Sequence, residues 1–306
     1  MKVAITGGTG FIGRYLVQQL QQGGHGVVVL ARNAPKARRL FPEVAFPKVT
    51  IVPYTPLALG DWQQALGGCD GVVNLAGTPI AERWTPAYKQ LLRESRITTT
   101  EILVKAIAAA NPKPAVLVSA SAIGYYGTSE TAVFDEGSVP IATDFLSQLC
   151  QDWEAAAKGV EAAGVRLVIP RIGIVLGRGG ALGKMLPPFR MFAGGPIGSG
   201  RQWFSWIAIE DLASLFIQAL TDTQMQGVYN ATAPHPVTMA TACEALGQAL
   251  NRPSWLPAPD FVIETLLGDA AVVVLKGQKV LPRRTQATGF TYQYPQVTAA
   301  MKAVVS

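Results

Sequence analysis

A short apolar run, Val3–Ile5, meets a glycine loop, Gly7-Gly8-Thr9-Gly10-Phe11-Ile12-Gly13, and an amphipathic stretch follows directly. Glycine at every third position, set between a strand and a helix, leaves few folds open. Gly7 permits the tight turn out of the strand. Gly10 lets backbone approach a pyrophosphate that a Cβ would obstruct, and Gly13 lets the helix pack close to the strand. The helix N-terminus then turns free N–H groups and the positive end of its dipole toward the phosphates. The segment predicts a dinucleotide site, with Thr9, Phe11 and Ile12 in the same contact set.

The rest of the chain repeats that alternation. Val27–Leu30, Val49–Val52, Gly71–Leu75, Ala115–Val118 and Val165–Ile169 read as short buried strands, with helical stretches at 84–110 and 145–163 between them. Buried strands alternating with helices predict an α/β fold, a doubly wound parallel Rossmann sheet. After Pro170 the character changes. Residues 171–209 are rich in Gly and Pro, a loop-heavy segment able to shape a cleft over the cofactor. Helices are expected at 210–220, 238–250 and 262–275, and Gly227–Asn230 returns to the sheet. Residues 1–170 therefore form the Rossmann domain, which 210–230 rejoins. Residues 171–209 and 231–306 form a smaller C-terminal α+β lobe.

Composition excludes several classes. Of 306 residues, 49% are hydrophobic and 15% charged, so the chain can bury a core and is not disordered. The net charge of +6 is scattered rather than blocked, which disfavours nucleic acid as a partner. Cys69, Cys150 and Cys243 are far apart and odd in number, the usage of a reducing, cytoplasmic compartment. Neither they nor His25 and His235 have metal-ligand spacing, so no metal is expected. No signal peptide is expected, because the chain enters its first strand at once. No apolar run is long enough to span a membrane.

The end of the second strand selects the dinucleotide. An acid there would hold ribose hydroxyls and repel a 2′-phosphate. The chain instead reads Leu30-Ala31-Arg32-Asn33, and Arg32 can make a charge-assisted contact to that phosphate. NADP(H) is therefore expected over NAD(H), with Arg32 and Asn33 at its adenosine end.

With the glycine loop, Asn74-Leu75-Ala76-Gly77, and Ser119-Ala120-Ser121-Ala122-Ile123-Gly124-Tyr125-Tyr126-Gly127, the chain resembles the extended short-chain dehydrogenase/reductases. Arg171-Ile172-Gly173-Ile174-Val175-Leu176-Gly177, Gly194–Gly200 and Leu275–Val280 are similar to an atypical "epimerase family" branch. That branch holds family 39U-like proteins and the plastid Giant Chloroplast division proteins. The resemblance covers essentially the whole chain. It implies an oxidoreductase or nucleotide-sugar epimerase-like activity, or an NADP(H)-binding protein of little activity that acts through a division partner. A plastid stroma is the second compartment it implies. It also implies cofactor contacts at Leu57, Leu75, Ala76, Gly77 and Ser119, and a dimer face on the 84–110 helix.

The chemistry of that family uses a tyrosine to move a proton, a lysine four residues on to hold the nicotinamide ribose, and a serine to orient the substrate oxygen. No Tyr-x-x-x-Lys occurs in this chain. By register the tyrosine position is Leu146 and the lysine position Cys150, while the usual helix asparagine is Arg96. The serine is Ser121, or Ser119 if the register slips. Cys150 could transfer a proton if Arg96 lowered its pKa, or it could be an inert packing residue beside a structural or ribose-binding arginine. Tyr125 and Tyr126 are alternative donors, or packing residues.

In the cleft-forming segment, Arg201 and Trp203 combine a cation with aromatics. They fit either an anionic, partly planar substrate or an edge strand packed on the core. Glu210 and Asp211 open a helix, where N-terminal charge stabilisation explains them. Lys276 and Lys279 read as a solvated helix end, with a substrate-phosphate role as the alternative.

Overall fold

The computed structural model describes residues 1–306. Strands β1 (Lys2–Thr6), β2 (Gly26–Ala31), β3 (Val49–Pro53), β4 (Gly71–Asn74) and β5 (Val116–Ser119) join the strands Arg166–Ile172 and Gly227–Ala231 in one sheet. From one edge the order is Gly227–Ala231, Arg166–Ile172, β5, β4, β1, β2, β3, and the two-residue strand Ser121–Ala122 is added beside Arg166–Ile172. Every pairing is parallel, with Ile5 opposite both Val29 and Val73. The chain order reverses on either side of β1. That places the topological switch point between β1 and β4, where ligands bind in open α/β sheets.

Helices α1 (Phe11–Gln22), α2 (Ala34–Leu40), α3 (Pro86–Arg93), α4 (Thr99–Ala109) and α5 (Phe145–Lys158) cover the sheet, with α6 (Gly180–Arg190), α7 (Ile209–Thr221) and α8 (Met239–Leu250) further along. Two cores sandwich the sheet. One packs Leu16, Val17 and Leu20 of α1 with Leu212, Leu215 and Phe216 of α7. The other packs Leu103 and Ile107 of α4 against Leu117, Leu167 and Ile169. A third core, around Trp206, Phe204, Leu246 and Met301, belongs to the smaller lobe.

The doubly wound α/β reading holds, and four details differ from the expected elements. The single helix expected at 84–110 is split by a π-helical turn, Glu94–Thr98, between α3 and α4. The strand expected to stop at Ile169 runs through Pro170 to Ile172, so Arg171 lies inside the sheet, opposite Ser121 and Asn230. The loop-heavy segment contains α6, whose C-terminal half carries Pro187 and Pro188, each of which lacks the N–H that would bond four residues back. The helix expected at 262–275 breaks at Gly268, which has φ +56°, into Asp260–Leu267, a 3₁₀ turn and Val272–Leu275.

Candidate functional site

The glycine loop forms a tight cradle. Gly7 has φ +70°, and a Cβ on it would stand 2.5 Å from the Leu75 carbonyl oxygen. A Cβ on Gly13 would strike the Gly7 carbonyl, so helix and loop touch backbone to backbone. The Gly10 N–H donates to Gly7 O at 2.9 Å, closing the turn. No side chain caps α1 and no acid sits in its first turn, so nothing in the chain competes for its N-terminal donors. A pyrophosphate fits this cradle. The ring of Phe11 is wrapped by the second lobe, with Cβ positions on Gly177, Gly179 and Gly180 only 2.8–3.0 Å from it. The glycine-rich loop thus rests on the phosphate loop.

At the end of β2 the Arg32 side chain is exposed and makes no ion pair. Asn33 Oδ1 accepts the Lys36 N–H at 2.9 Å, capping α2, so this side chain has a structural task of its own. Leu57 is half exposed beyond β3.

The strand ends of β1, β4 and β5 are tied by a buried polar network. Thr6 Oγ1 donates to Asn74 Oδ1 at 2.7 Å, and Asn74 Nδ2 donates to Thr100 Oγ1 and Ser119 Oγ at 2.8 and 3.2 Å. Trp153 Nε1 also donates to Thr100 Oγ1, at 3.1 Å. Ser119 therefore locks β4 to β5.

Ser121 belongs to a second network. Its Oγ donates to Glu154 Oε1 at 2.7 Å. Arg171 grips the same carboxylate through Nε and Nη2, at 2.7 and 2.8 Å, and both side chains are 4% exposed. The Arg171 guanidinium stacks on Tyr125, 3.3 Å from the ring centroid, and lies 5.0 Å from that of Tyr126. Tyr126 donates to Asn230 Oδ1 at 2.7 Å, and burial pushes its phenol up to about 12. Tyr126 is a buried packing residue. Tyr125 is only partly buried, and its hydroxyl makes no hydrogen bond within the chain.

The α5 face that carries residues 146 and 150 turns toward the same place. A Cβ on Gly124 would lie 3.6 Å from Cys150 Sγ and 3.8 Å from Leu146 Cβ. Arg96 does face Cys150, across the π turn, and its charge pulls the thiol down. Burial, reinforced by Glu154, wins and pushes the thiol up to about 12. Of the two alternatives for Cys150, this balance favours the inert packing residue: desolvation of a fully buried sulfur outweighs one neighbouring cation. Arg96 donates to Thr78 O at 2.9 Å, sits 5.4 Å from the Trp153 ring centroid, and lies against Gly77. Burial lowers the Arg96 pKa from its usual value.

Polar contacts join the segment after β4 to the later segments of the chain. Arg83 Nη1 donates to Thr265 O at 2.9 Å, Lys184 Nζ to Ala81 O at 3.0 Å, and Lys89 pairs with Asp269 at 2.7 Å. Arg201 is highly exposed and 4.0 Å from Glu130, while Trp203 Nε1 donates to Glu130 O at 2.8 Å. Lys279 lies 4.5 Å from the Trp203 ring centroid, from a short strand rather than the expected helix end. Trp203 itself sits on a two-residue strand, as the edge-strand alternative has it. Asp211 accepts the N–H groups of Gln293 and Tyr294 at 2.6 and 3.1 Å. It therefore anchors the C-terminal segment as well as opening α7. No cluster of His, Cys, Asp or Glu could hold a metal, and no helix is long and apolar enough to cross a membrane.

Glu154 and Thr100 were not singled out from the sequence, and Asn74 and Arg171 entered only as members of family-like motifs, without a role. The signal for Glu154 was its spacing of four from Cys150 and eight from Leu146, one face of one helix. The signal for Arg171 was a charge inside an otherwise apolar strand.

A glycine cradle at the switch point of a parallel sheet and an acid-free β2 end define a dinucleotide-binding protein of the Rossmann class. The model of the NAD dependent epimerase/dehydratase family matches residues 3–232, and that of a domain of unknown function, DUF1731, matches residues 258–304. The chain belongs to the NAD-dependent epimerase/dehydratase family, in its SDR39U1-type branch of atypical extended short-chain dehydrogenase/reductases. It is 49% identical to the chloroplastic SDR39U1 homolog of Arabidopsis thaliana over 308 residues, spanning 100% of this chain and 87% of that protein. It is 40% identical to human epimerase family protein SDR39U1 over 311 residues, covering both chains fully. The crystal structure of human SDR39U1 with NADPH superposes with a TM-score of 0.88, covering 99% of each chain at 40% identity.

Proposed function

We propose that the protein binds NADP(H) and works as an oxidoreductase on a small-molecule substrate held between the two lobes. The observation that carries this reading is the pairing of a ligand-shaped glycine cradle with an unpaired Arg32 at the end of β2. Gly7, Gly10 and Gly13 would hold the pyrophosphate and Arg32 the 2′-phosphate; the human SDR39U1 crystal structure with NADPH supports the choice. Leu75, Ala76 and Gly77, past β4, would line the nicotinamide half. When bound, the cofactor supplies hydride chemistry.

The chain's own contribution to proton movement differs from the usual family pair. Leu146 has no proton to give, and the Cys150 thiol is held neutral. The Ser121 proton is committed to Glu154, so toward a ligand Ser121 presents lone pairs and acts as an acceptor. Tyr125, with a free hydroxyl and its ring on a guanidinium, is the donor this site offers. Arg201 and Trp203 would meet substrate only at the outer rim.

Absence of a Tyr–Lys pair favours a second reading, an NADP(H)-binding protein of low turnover that acts through a partner, as in cell or plastid division. Incubation with NADPH and a panel of carbonyl compounds and nucleotide sugars separates the two. Loss of absorbance at the reduced-cofactor band, diminished in Tyr125→Phe, supports the oxidoreductase. Tight binding with no turnover across the panel supports the second reading.

A further inference from the structure

Arg96 is a partly buried guanidinium with no carboxylate partner. The ion pairs of the chain join Lys89, Arg93, Arg171, Lys184, Arg201 and Arg283 to acids, and none involves Arg96. Its neighbours are the Thr78 and Leu92 carbonyls, the face of Trp153, and the neutral Cys150 thiol. Holding a charge even partly away from water without a counter-charge carries a cost, and the fold accepts it here. It also accepts a π-helical turn at Glu94–Thr98 to carry this residue, a distortion found frequently at functional sites.

Position gives the charge a meaning. The guanidinium carbon lies 3.2 Å from where a Cβ on Gly77 would stand, so glycine is what lets it reach the end of β4. The end of β4 belongs to the second mononucleotide half of a doubly wound sheet, the half that receives nicotinamide. The lysine that would place a cation there from α5 is Cys150 in this chain.

We propose that Arg96 supplies the cation of the nicotinamide half from the π turn, and that it makes the site select the reduced cofactor. The nicotinamide ring is cationic when oxidised and neutral when reduced. An uncompensated guanidinium in a partly desolvated cleft repels the first and tolerates the second. The inference rests on the NADP(H) reading and adds a preference between its two redox states. One unit charge felt through a partly buried site corresponds to a preference on the order of ten-fold.

Calorimetric titration of the full-length protein with NADPH and with NADP+ tests it. The wild type should bind NADPH about ten-fold tighter than NADP+ or more. Arg96→Gln, which keeps a donor to the Thr78 carbonyl but loses the charge, should shrink that ratio by about five-fold or more, mainly by tightening NADP+. Arg96→Lys should retain the preference. A thermal melt confirms that each variant is folded; if Arg96→Gln is not, Arg96→Met takes its place. Equal affinity for both forms in the wild type, or the same ratio in the neutral variant, overturns the inference while leaving the NADP(H) reading intact. Binding of neither form overturns both.

Discussion

Glu154→Ala should be among the most destabilising single substitutions in the Rossmann half. The carboxylate accepts three charge-assisted or hydroxyl hydrogen bonds, from Arg171 Nε at 2.7 Å, Arg171 Nη2 at 2.8 Å and Ser121 Oγ at 2.7 Å. Arg171 is 4% exposed and its Nη1 has no hydrogen-bond partner, so truncating Glu154 leaves a buried charge with only the tyrosine faces beside it. Breaking a buried pair in this way costs about 3–5 kcal/mol, a large share of the ~5–15 kcal/mol that holds a typical domain together. Urea unfolding of wild type and variant at pH 7 measures the difference. The double variant Glu154→Leu, Arg171→Met removes both charges and should recover most of the loss, because the desolvation penalty disappears with them. A single-variant loss below about 1 kcal/mol would match an exposed ion pair instead. It would refute the claim that this pair anchors Ser121 in a dry site.

Gly13→Ala should abolish or strongly weaken NADPH binding, since its Cβ would meet the Gly7 carbonyl; fluorescence titration reads the loss, and circular dichroism shows whether the fold persists. Asp211→Ala removes the acceptor of the part-buried Gln293 and Tyr294 N–H groups and should cost about 1–3 kcal/mol, with faster proteolysis of the C-terminal segment. The Cys150 thiol is raised to about 12 by burial, so above about pH 8.5 the unfolded chain loses a proton that the folded chain keeps. Stability should therefore fall as pH rises through that window, by about 1 kcal/mol from this group between about pH 8.5 and 9.5, where the unfolded thiol goes from about half to about nine-tenths ionised. Cys150→Val should remove that share of the slope in urea unfolding at pH 8.5 and 9.5, and in the wild type Cys150 should resist alkylation at pH 8.

The parallel sheet and the phosphate loop are legible in the sequence because their physics is local. Val3–Ile5 followed by glycines at 7, 10 and 13 needs no knowledge of distant residues. The missing acid after Ala31 is equally local. The half beyond β4 is not, because its chemistry depends on what surrounds each group. Cys150 and Arg96 do face each other, but the sign of the thiol's shift follows from its total burial, which spacing does not report. The Ser121–Glu154–Arg171 contact joins residues from three elements, and only the register of Ser121 opposite Arg171 brings them together. The π turn at 94–98 is invisible in a helix-like apolar spacing, yet it decides where Arg96 points. Asp211 reads as a helix-start charge until the C-terminal segment is laid against it.

The most direct test of NADP(H) as the ligand of this fold is a titration of wild type and Arg32→Ala with NADPH and NADH. The wild type should prefer NADPH. Arg32→Ala should weaken NADPH by about 10- to 150-fold, the equivalent of a charged hydrogen bond of ~1.5–3 kcal/mol, and leave NADH nearly unchanged. Equal weakening of both, or a wild type that binds NADH as tightly as NADPH, would contradict the assignment of Arg32 to the 2′-phosphate and of the site to NADP(H).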